Sequence, residues 1–218
     1  MFRSALVTGA ASGIGAAAVS LLESAGCEVR SLDLADGFDV ADPRAWEEVG
    51  PADFAFLNAG VATGSNDIAA LGDPEYRRAV GANVDGVVFG TRRMAQVMEP
   101  GSTIVATASL AGLVAMPLDP VYTLTKHAVV GFVRAVAPQL AERGITINAL
   151  CPGFADTPIV EPELREWADG QGIPLISPET VAAAALAAAR SGETGEAWVV
   201  QPGREPVVYG FRGVPGPR

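Results

Sequence analysis

Ala5-Leu6-Val7-Thr8-Gly9-Ala10-Ala11-Ser12-Gly13-Ile14-Gly15 is the stretch on which the fold turns. A short apolar run, Ala5–Val7, reads as a strand and ends in a glycine-rich turn. Ala16–Ser24 then has helical composition and stops at Gly26, a natural C-terminal breaker. Gly9, Gly13 and Gly15 stand between strand and helix. Glycine there lets the backbone turn tightly and approach a phosphate, and the helix N-terminus offers free N–H groups and a positive dipole end. Ser12 and Ile14 complete the turn. The spacing is GxxxGxG, not GxGxxG.

Working outward, short apolar runs alternate with helical stretches. Cys27–Leu32, Asp53–Leu57, Thr103–Thr107, Ile145–Leu150 and Ala197–Val200 read as further strands. Asp42–Val49 suits a small helix with Asp42 as N-cap and Pro43 at its first position. Pro74–Met98 suits a long helix bent near Gly81, Gly86 and Gly90. Pro120–Glu142 suits a second long helix ending at Gly144, and Pro178–Ala189 an alanine-rich one. Strands separated by helices imply right-handed crossovers and a parallel sheet covered on both faces. The expected architecture is a Rossmann-like, doubly wound α/β sheet, and residues 1–218 form one domain. Residues 203–218, rich in glycine and proline, are expected to form an extended tail.

Composition narrows the function classes. Apolar residues make up 49% of the chain and charged residues 18%, a globular balance. The formal net charge is −10, and the only basic pairs are Arg77-Arg78 and Arg92-Arg93, so no nucleic-acid surface is expected. The two cysteines, Cys27 and Cys151, stand far apart without metal-ligand spacing, so neither a disulfide framework nor a metal site is expected. No apolar run reaches membrane-spanning length, and the first strand leaves no room for a leader. A cytoplasmic protein without membrane contact is the expectation.

Two further features carry chemistry. Asp33 ends the second strand, where a carboxylate can accept hydrogen bonds from adenosine ribose hydroxyls. A ribose 2′-phosphate would meet that carboxylate with no arginine beside it, since Leu34 follows; this favours NAD over NADP. Arg30 falls on the opposite face by strand alternation. Tyr122 and Lys126 are i and i+4 on a helix and share a face. A free phenol with a pKa near 10 is a poor base at neutral pH, and a neighbouring ammonium lowers that value. Tyrosine can then take a proton from an alcohol or return one to an alkoxide, while Ser109 donates a hydrogen bond to the same oxygen.

The set Thr8–Gly15, Asn58-Ala59-Gly60, Asn83, Ser109, Tyr122-Thr-Leu-Thr-Lys126 and Pro152-Gly153 closely resembles the short-chain dehydrogenase/reductases in order and spacing. The resemblance runs from about Ala5 to Gly203. It implies Tyr122 as general acid/base, Lys126 as the group that lowers its pKa and holds the nicotinamide ribose, and Ser109 as the group that orients the substrate oxygen. It implies Asn83 as the holder of a relay water. Asp39-Val40 would line the adenine, Asn58-Ala59-Gly60 the adenosine side, and Pro152-Gly153 with Thr157 the nicotinamide. The implied cofactor is NAD, and the implied partners are a small alcohol or ketone and further copies of the chain, as a homotetramer or homodimer.

The chain also departs from the family. The stretches from Asp39 to Asn58 and from Thr157 to Pro178 are short. The second offers Ile159, Val160, Leu164, Trp167 and Ile173, which with Phe154 and Leu113 or Met116 could wall an apolar pocket or pack a lid onto the core. Arg165 is the one candidate there for a carboxylate or phosphate clamp. The expected substrate is therefore an uncharged secondary alcohol or ketone. Alternatives are an NADPH-dependent carbonyl or 3-oxoacyl-thioester reductase and a non-catalytic NAD-binding sensor on the same fold.

Overall fold

The structure, a computed structural model, describes residues 2–213. Its strands are β1 (Ser4–Thr8), β2 (Glu28–Leu32), β3 (Phe54–Leu57), β4 (Thr103–Thr107), β5 (Thr146–Pro152), β6 (Ala197–Val200) and β7 (Val207–Val208). Its helices are α1 (Gly13–Ser24), α2 (Asp73–Val80), α3 (Gly86–Val97), α4 (Pro120–Ala141), α5 (Pro162–Gly170) and α6 (Pro178–Arg190). The seven strands form one sheet in the order β2-β1-β3-β4-β5-β6-β7. All pairings are parallel except the last, β6 with β7. This is the doubly wound α/β sheet anticipated from the sequence.

The central strands are apolar on both sides because both faces are covered. On one face, Val7, Phe56, Val105 and Leu150 pack with Ala18 and Leu22 of α1 and Val181 and Ala185 of α6. On the other, Leu6, Leu57, Ile104 and Ile147 pack with Met94 of α3 and Val129 and Val133 of α4. The chain leaves β1 toward one edge, forms β2 there, and returns to the other side of β1 as β3. The winding therefore reverses between β1 and β3. Ligands of such sheets bind beyond the carboxyl ends of the strands at that reversal, and Gly9 and Asn58 stand there.

Four local expectations are corrected. Asp42–Val49 is a run of turns, not a helix. Asp42 Oδ1 accepts from Arg44 N, as an N-cap would, but the turns that follow do not continue as a helix. Trp46 then inserts into the core at 1% exposure, its indole N–H donating to the Val40 carbonyl. The stretch Pro74–Met98 is not one helix: α2 and α3 are joined by a π-helical turn, Gly81–Asp85. The shortened lid contains a helix that was not anticipated, α5. Within the expected tail, Val207–Val208 pairs with β6, and Tyr209 and Phe211 stack edge to face with ring centroids 4.9 Å apart. Residues 214–218 of that expected tail lie outside the described residues.

Candidate active site

The strand ends are tied together by side chains. Thr8 Oγ1 accepts from the backbone N–H groups of Asn58 and Ala59 at 2.9 and 3.1 Å. Asn58 Nδ2 donates to the Thr8 carbonyl, and Asn58 Oδ1 accepts from Thr107 Oγ1. Lys126 Nζ, on α4, donates to the Thr107 carbonyl at 2.8 Å. The nucleotide end and the lysine are thus linked through one set of hydrogen bonds across β1, β3 and β4.

The glycine turn is a close-packed cradle. Gly9 has φ +66°, and a Cβ there would lie 2.9 Å from Ala59 Cα. A Cβ on Gly15 would lie 1.9 Å from the Gly9 carbonyl oxygen. Gly13 faces the Thr157 side chain, whose Cγ2 would be 2.9 Å from an added Cβ. The helix behind this turn is unusual among its neighbours. No side chain caps α1 at Ser12, and its first turn holds no acidic residue. Helices α4 and α6 are capped by Asp119 and Ser177, and α2 and α5 carry acids in the first turn. Only α1, among the described helices that start from a loop, leaves its positive end to an outside anion. A pyrophosphate fits that demand.

Asp33 is partly exposed at the end of β2. Its Oδ2 accepts from Ala11 N at 2.9 Å and its Oδ1 from Ala35 N at 3.0 Å, so the carboxylate is aimed back at the glycine turn with a lone pair left on each oxygen. Arg30 does not approach it; its guanidinium donates to the Gly50 carbonyl. Asp39 Oδ1 accepts from Ala41 N. The Val40 side chain is buried against the start of α3, where its Cγ2 would be 2.8 Å from a Cβ on Gly86. Gly60 lies beside Asn83 and Lys126. A Cβ there would be 2.9 Å from Asn83 Oδ1 and 3.3 Å from Lys126 Nζ.

At the chemical end, Asn83 is fully buried on the π-helical turn. Such turns inside helices are frequent at functional sites. Its Oδ1 accepts from Val61 N, and its Nδ2 donates to the Val61 carbonyl and to Thr125 Oγ1. Ser109 caps the short 3₁₀ segment Leu110–Gly112 by accepting from Ala111 N, and its hydroxyl donates to the Pro152 carbonyl at 3.5 Å. The Lys126 ammonium stands 5.4 Å from the Tyr122 ring centre. Pro152 ends β5, and Gly153 N donates to the Val200 carbonyl.

The electrostatics correct one expectation. Lys126 does not lower the Tyr122 phenol, which is pushed up to about 12. Burial is the chief cause; Ser109 opposes it by hydrogen bonding, and the charges of Asp119 and Cys151 add to it. Lys126, at 2% exposure, is itself lowered to about 8 by burial. Desolvation disfavours both charged forms, so the two groups do not form a strong ion pair through this chain's own residues. Cys151, buried beside them at the end of β5, is raised to about 12 and is an inert thiol.

The lid contains the other surprise. Arg165 is not free to clamp a substrate anion. Its Nε donates to the Val160 carbonyl, its Nη2 to the Thr157 carbonyl, and its Nη1 pairs with Asp156. Phe154 and Trp167 pack with ring centroids 6.0 Å apart, while Val160 is buried. The single histidine, His127, faces outward with Nδ1 on the Thr123 carbonyl. Not expected from the sequence were Thr107, Asp119 and Thr125, each bonded to a site residue, and Thr63, which bonds to Asp119. Of these only Asp119 had a legible signal, an Asp-Pro pair at a helix start.

The chain is similar to known proteins over most of its length. A family model described as enoyl-(acyl carrier protein) reductase matches residues 32–204. The 3β-hydroxysteroid dehydrogenase of Mediterraneibacter gnavus is 35% identical over 155 residues, 67% of this chain and 55% of that enzyme's length. The 2-(R)-hydroxypropyl-CoM dehydrogenase of Xanthobacter autotrophicus is 32% identical over 76% of this chain and 82% of its own. A solved 3-ketoacyl-(acyl-carrier-protein) reductase of Brucella melitensis, complexed with NADH, superposes with TM-score 0.80 at 25% identity, covering 93% of this chain and 98% of that one. With the fold, the glycine turn and the Ser109–Tyr122–Lys126 grouping already in place, these matches mean that the chain belongs to the short-chain dehydrogenase/reductases, oxidoreductases that use a nicotinamide cofactor.

Proposed function

We propose that the chain interconverts an uncharged secondary alcohol and its ketone with NAD as cofactor, Tyr122 serving as general acid/base. The observation that carries this reading is the meeting of Ser109, Tyr122 and Lys126 at the ends of β4 and β5. When bound, the cofactor supplies the hydride acceptor or donor and, in its oxidised form, a positive ring. The open N-terminus of α1, with Gly9, Ser12, Gly13, Ile14 and Gly15, would hold its pyrophosphate. Asp33 would take the adenosine ribose, with Asp39 and Val40 beside the adenine and Asn58, Ala59 and Gly60 along the strand ends. Pro152, Gly153 and Thr157 would face the nicotinamide.

The chain's own residues then handle the proton. Ser109 orients the substrate oxygen. Tyr122, held protonated by burial, is set to donate to a developing alkoxide in reduction. In oxidation the same phenolate takes the alcohol proton, once a positive charge beside it offsets the burial. Lys126, near 8, titrates close to neutral pH, and it meets Asn83 over Gly60, a layout suited to passing a proton inward or outward.

Preference for NAD rests on Asp33, partly exposed and in no salt bridge among the described residues. An uncharged substrate is favoured because Arg165 is already bonded within the lid and Phe154 with Trp167 presents an apolar wall. The relatives named for ring alcohols, hydroxysteroids among them, point to a cyclic carbinol. A second reading, a 3-oxoacyl-thioester reductase, is favoured by the likeness to the Brucella melitensis structure. Buried free cysteines suit a reducing cytoplasm. The outward face of α4, with Leu124, Ala128, Gly131 and Ala135, suits a homodimer or homotetramer contact.

The test is a panel of neutral cyclic secondary alcohols and 3-oxoacyl thioesters, each assayed with NAD(H) and NADP(H). Turnover of a cyclic alcohol with NAD is the expected result. Thioester reduction alone would move the reading to the second one, and preference for NADPH would overturn the cofactor assignment.

A further inference from the structure

Asp119 is a buried carboxylate, 8% exposed, with no cation paired to it among the described residues. Four protein groups donate to it. Thr63 N and Thr63 Oγ1 lie at 2.7 Å, Gly64 N at 3.3 Å, and Tyr122 N at 2.8 Å. A carboxylate taken from water without a counter-ion is costly, and this one is compensated by charge-assisted bonds and the positive end of α4. Capping α4 requires only the last of the four bonds. The other three go to residues 63 and 64, which are in the loop after β3.

That loop joins the parts of the site. Val61 is bonded to Asn83 through both its N–H and its carbonyl. Gly64, at φ +72°, faces Glu161 at the start of the lid, whose Oε1 would be 3.3 Å from an added Cβ. Asn83 Nδ2 donates to Thr125 Oγ1, which donates to the Tyr122 carbonyl. A closed circuit results: Asp119, loop 61–64, Asn83, Thr125, and back to the turn of α4 that carries Tyr122. Cutting it at Asp119 frees the loop from the helix.

We infer that Asp119 is a positioning residue that clamps loop 61–64 onto the Tyr122 turn and so fixes Asn83 and the lid-facing edge of the site. This rests on the reading of Tyr122 as the acid/base. Its charge also acts on the phenol, which is faced by Ser109 before the 3₁₀ segment, Cys151 of β5, and Lys126 and Asp119 of α4. Loss of the Asp119 charge removes a contribution that raises the Tyr122 pKa.

The informative variant is Asp119→Ser. Serine caps a helix about as well as aspartate, so the bond to Tyr122 N is kept. It cannot span to Thr63 and Gly64. Hydrogen exchange should then quicken about tenfold or more at the amides of Thr63 and Gly64. Alcohol kcat should fall about tenfold, and the rise of kcat/KM with pH should begin at lower pH, while NADH affinity stays unchanged. Thr63→Val, which keeps the carboxylate and the cap, should give the same changes in exchange and kcat, smaller in size, without the pH shift. Unchanged exchange at Thr63 and Gly64 in Asp119→Ser, or faster exchange with unchanged kcat and pH profile, would overturn the inference. If the unmodified protein turns over no alcohol, the Tyr122 reading fails by itself, and the exchange measurement still decides whether the clamp exists.

Discussion

Helix α1 begins at Ser12 with no side chain on its first N–H groups and no acid in its first turn, whereas α4 begins at Asp119, whose carboxylate occupies that position. The two helices face the same end of the sheet, and the same physics governs both starts: unpaired N–H groups and a partial positive charge. At α1 the chain leaves that demand to a ligand. At α4 it meets the demand itself and uses the same carboxylate to hold a loop. The difference separates the place where an anion is recognised from the place where geometry must be kept fixed for chemistry. It also explains why the two ends differ in legibility. A turn that receives a ligand needs glycine, which is visible in the sequence; a turn that holds itself together uses an aspartate that resembles any other N-cap.

The largest expected effect comes from closing the cradle at α1. Gly15→Ala would put a methyl 1.9 Å from the Gly9 carbonyl oxygen, so turn and helix must move apart. Overpacking of this kind costs about 1–3 kcal/mol, read as a lower urea midpoint, and NADH binding should be lost with it. A subtler break gives α1 the start that α4 has. Ser12→Asp should raise the melting temperature, by about 0.5–1 kcal/mol of helix stabilisation, and weaken NADH binding about tenfold through repulsion of the pyrophosphate. Stability and binding moving in opposite directions is the mark of a helix end reserved for a ligand. If both improve, α1 is an ordinary helix start.

The α4 end is tested by the pH dependence of stability. Lys126 is lowered from 10.5 to about 8, so between those values the unfolded chain binds a proton that the folded chain does not. Stability therefore rises with pH through that window, and the slope vanishes below about 8, where both states are protonated. Tyr122 works the other way, since its raised value means that stability falls between 10 and about 12. In Lys126→Met the rise should be absent when urea midpoints are compared at pH 8 and 10.

Much of the sheet could be read directly. The runs at Leu6-Val7, Phe54–Leu57 and Thr103–Thr107 are apolar because they are covered on both faces, and continuous apolar runs are what buried parallel strands require. What escaped was set by contacts that leave no periodic pattern in the sequence. Asp42–Val49 carries good helix-start chemistry, yet Trp46 drops into the core beside Gly90 and holds the segment in turns. Helix α5 is short and strongly charged, and Arg165 ties it to residues 156–160, a contact with no local pattern. The π-helical turn at Asn83 depends on bonds to Val61 and Thr125, far off in sequence. The sign of the Tyr122 shift escaped for the same reason: i, i+4 spacing shows that an ammonium is near, and only the packed structure shows how strongly burial opposes it.

The nucleotide end at α1 and the chemical end at α4 should be separable by a single substitution. Tyr122→Phe removes one hydroxyl from the α4 end and touches nothing at α1. Its NADH affinity should match that of the unmodified protein by fluorescence titration. Its turnover of an accepted alcohol should fall by about 10²–10⁴, the contribution of a general acid/base. Retained turnover in that variant, or loss of NADH binding along with turnover, would contradict the division of labour between α1 and α4.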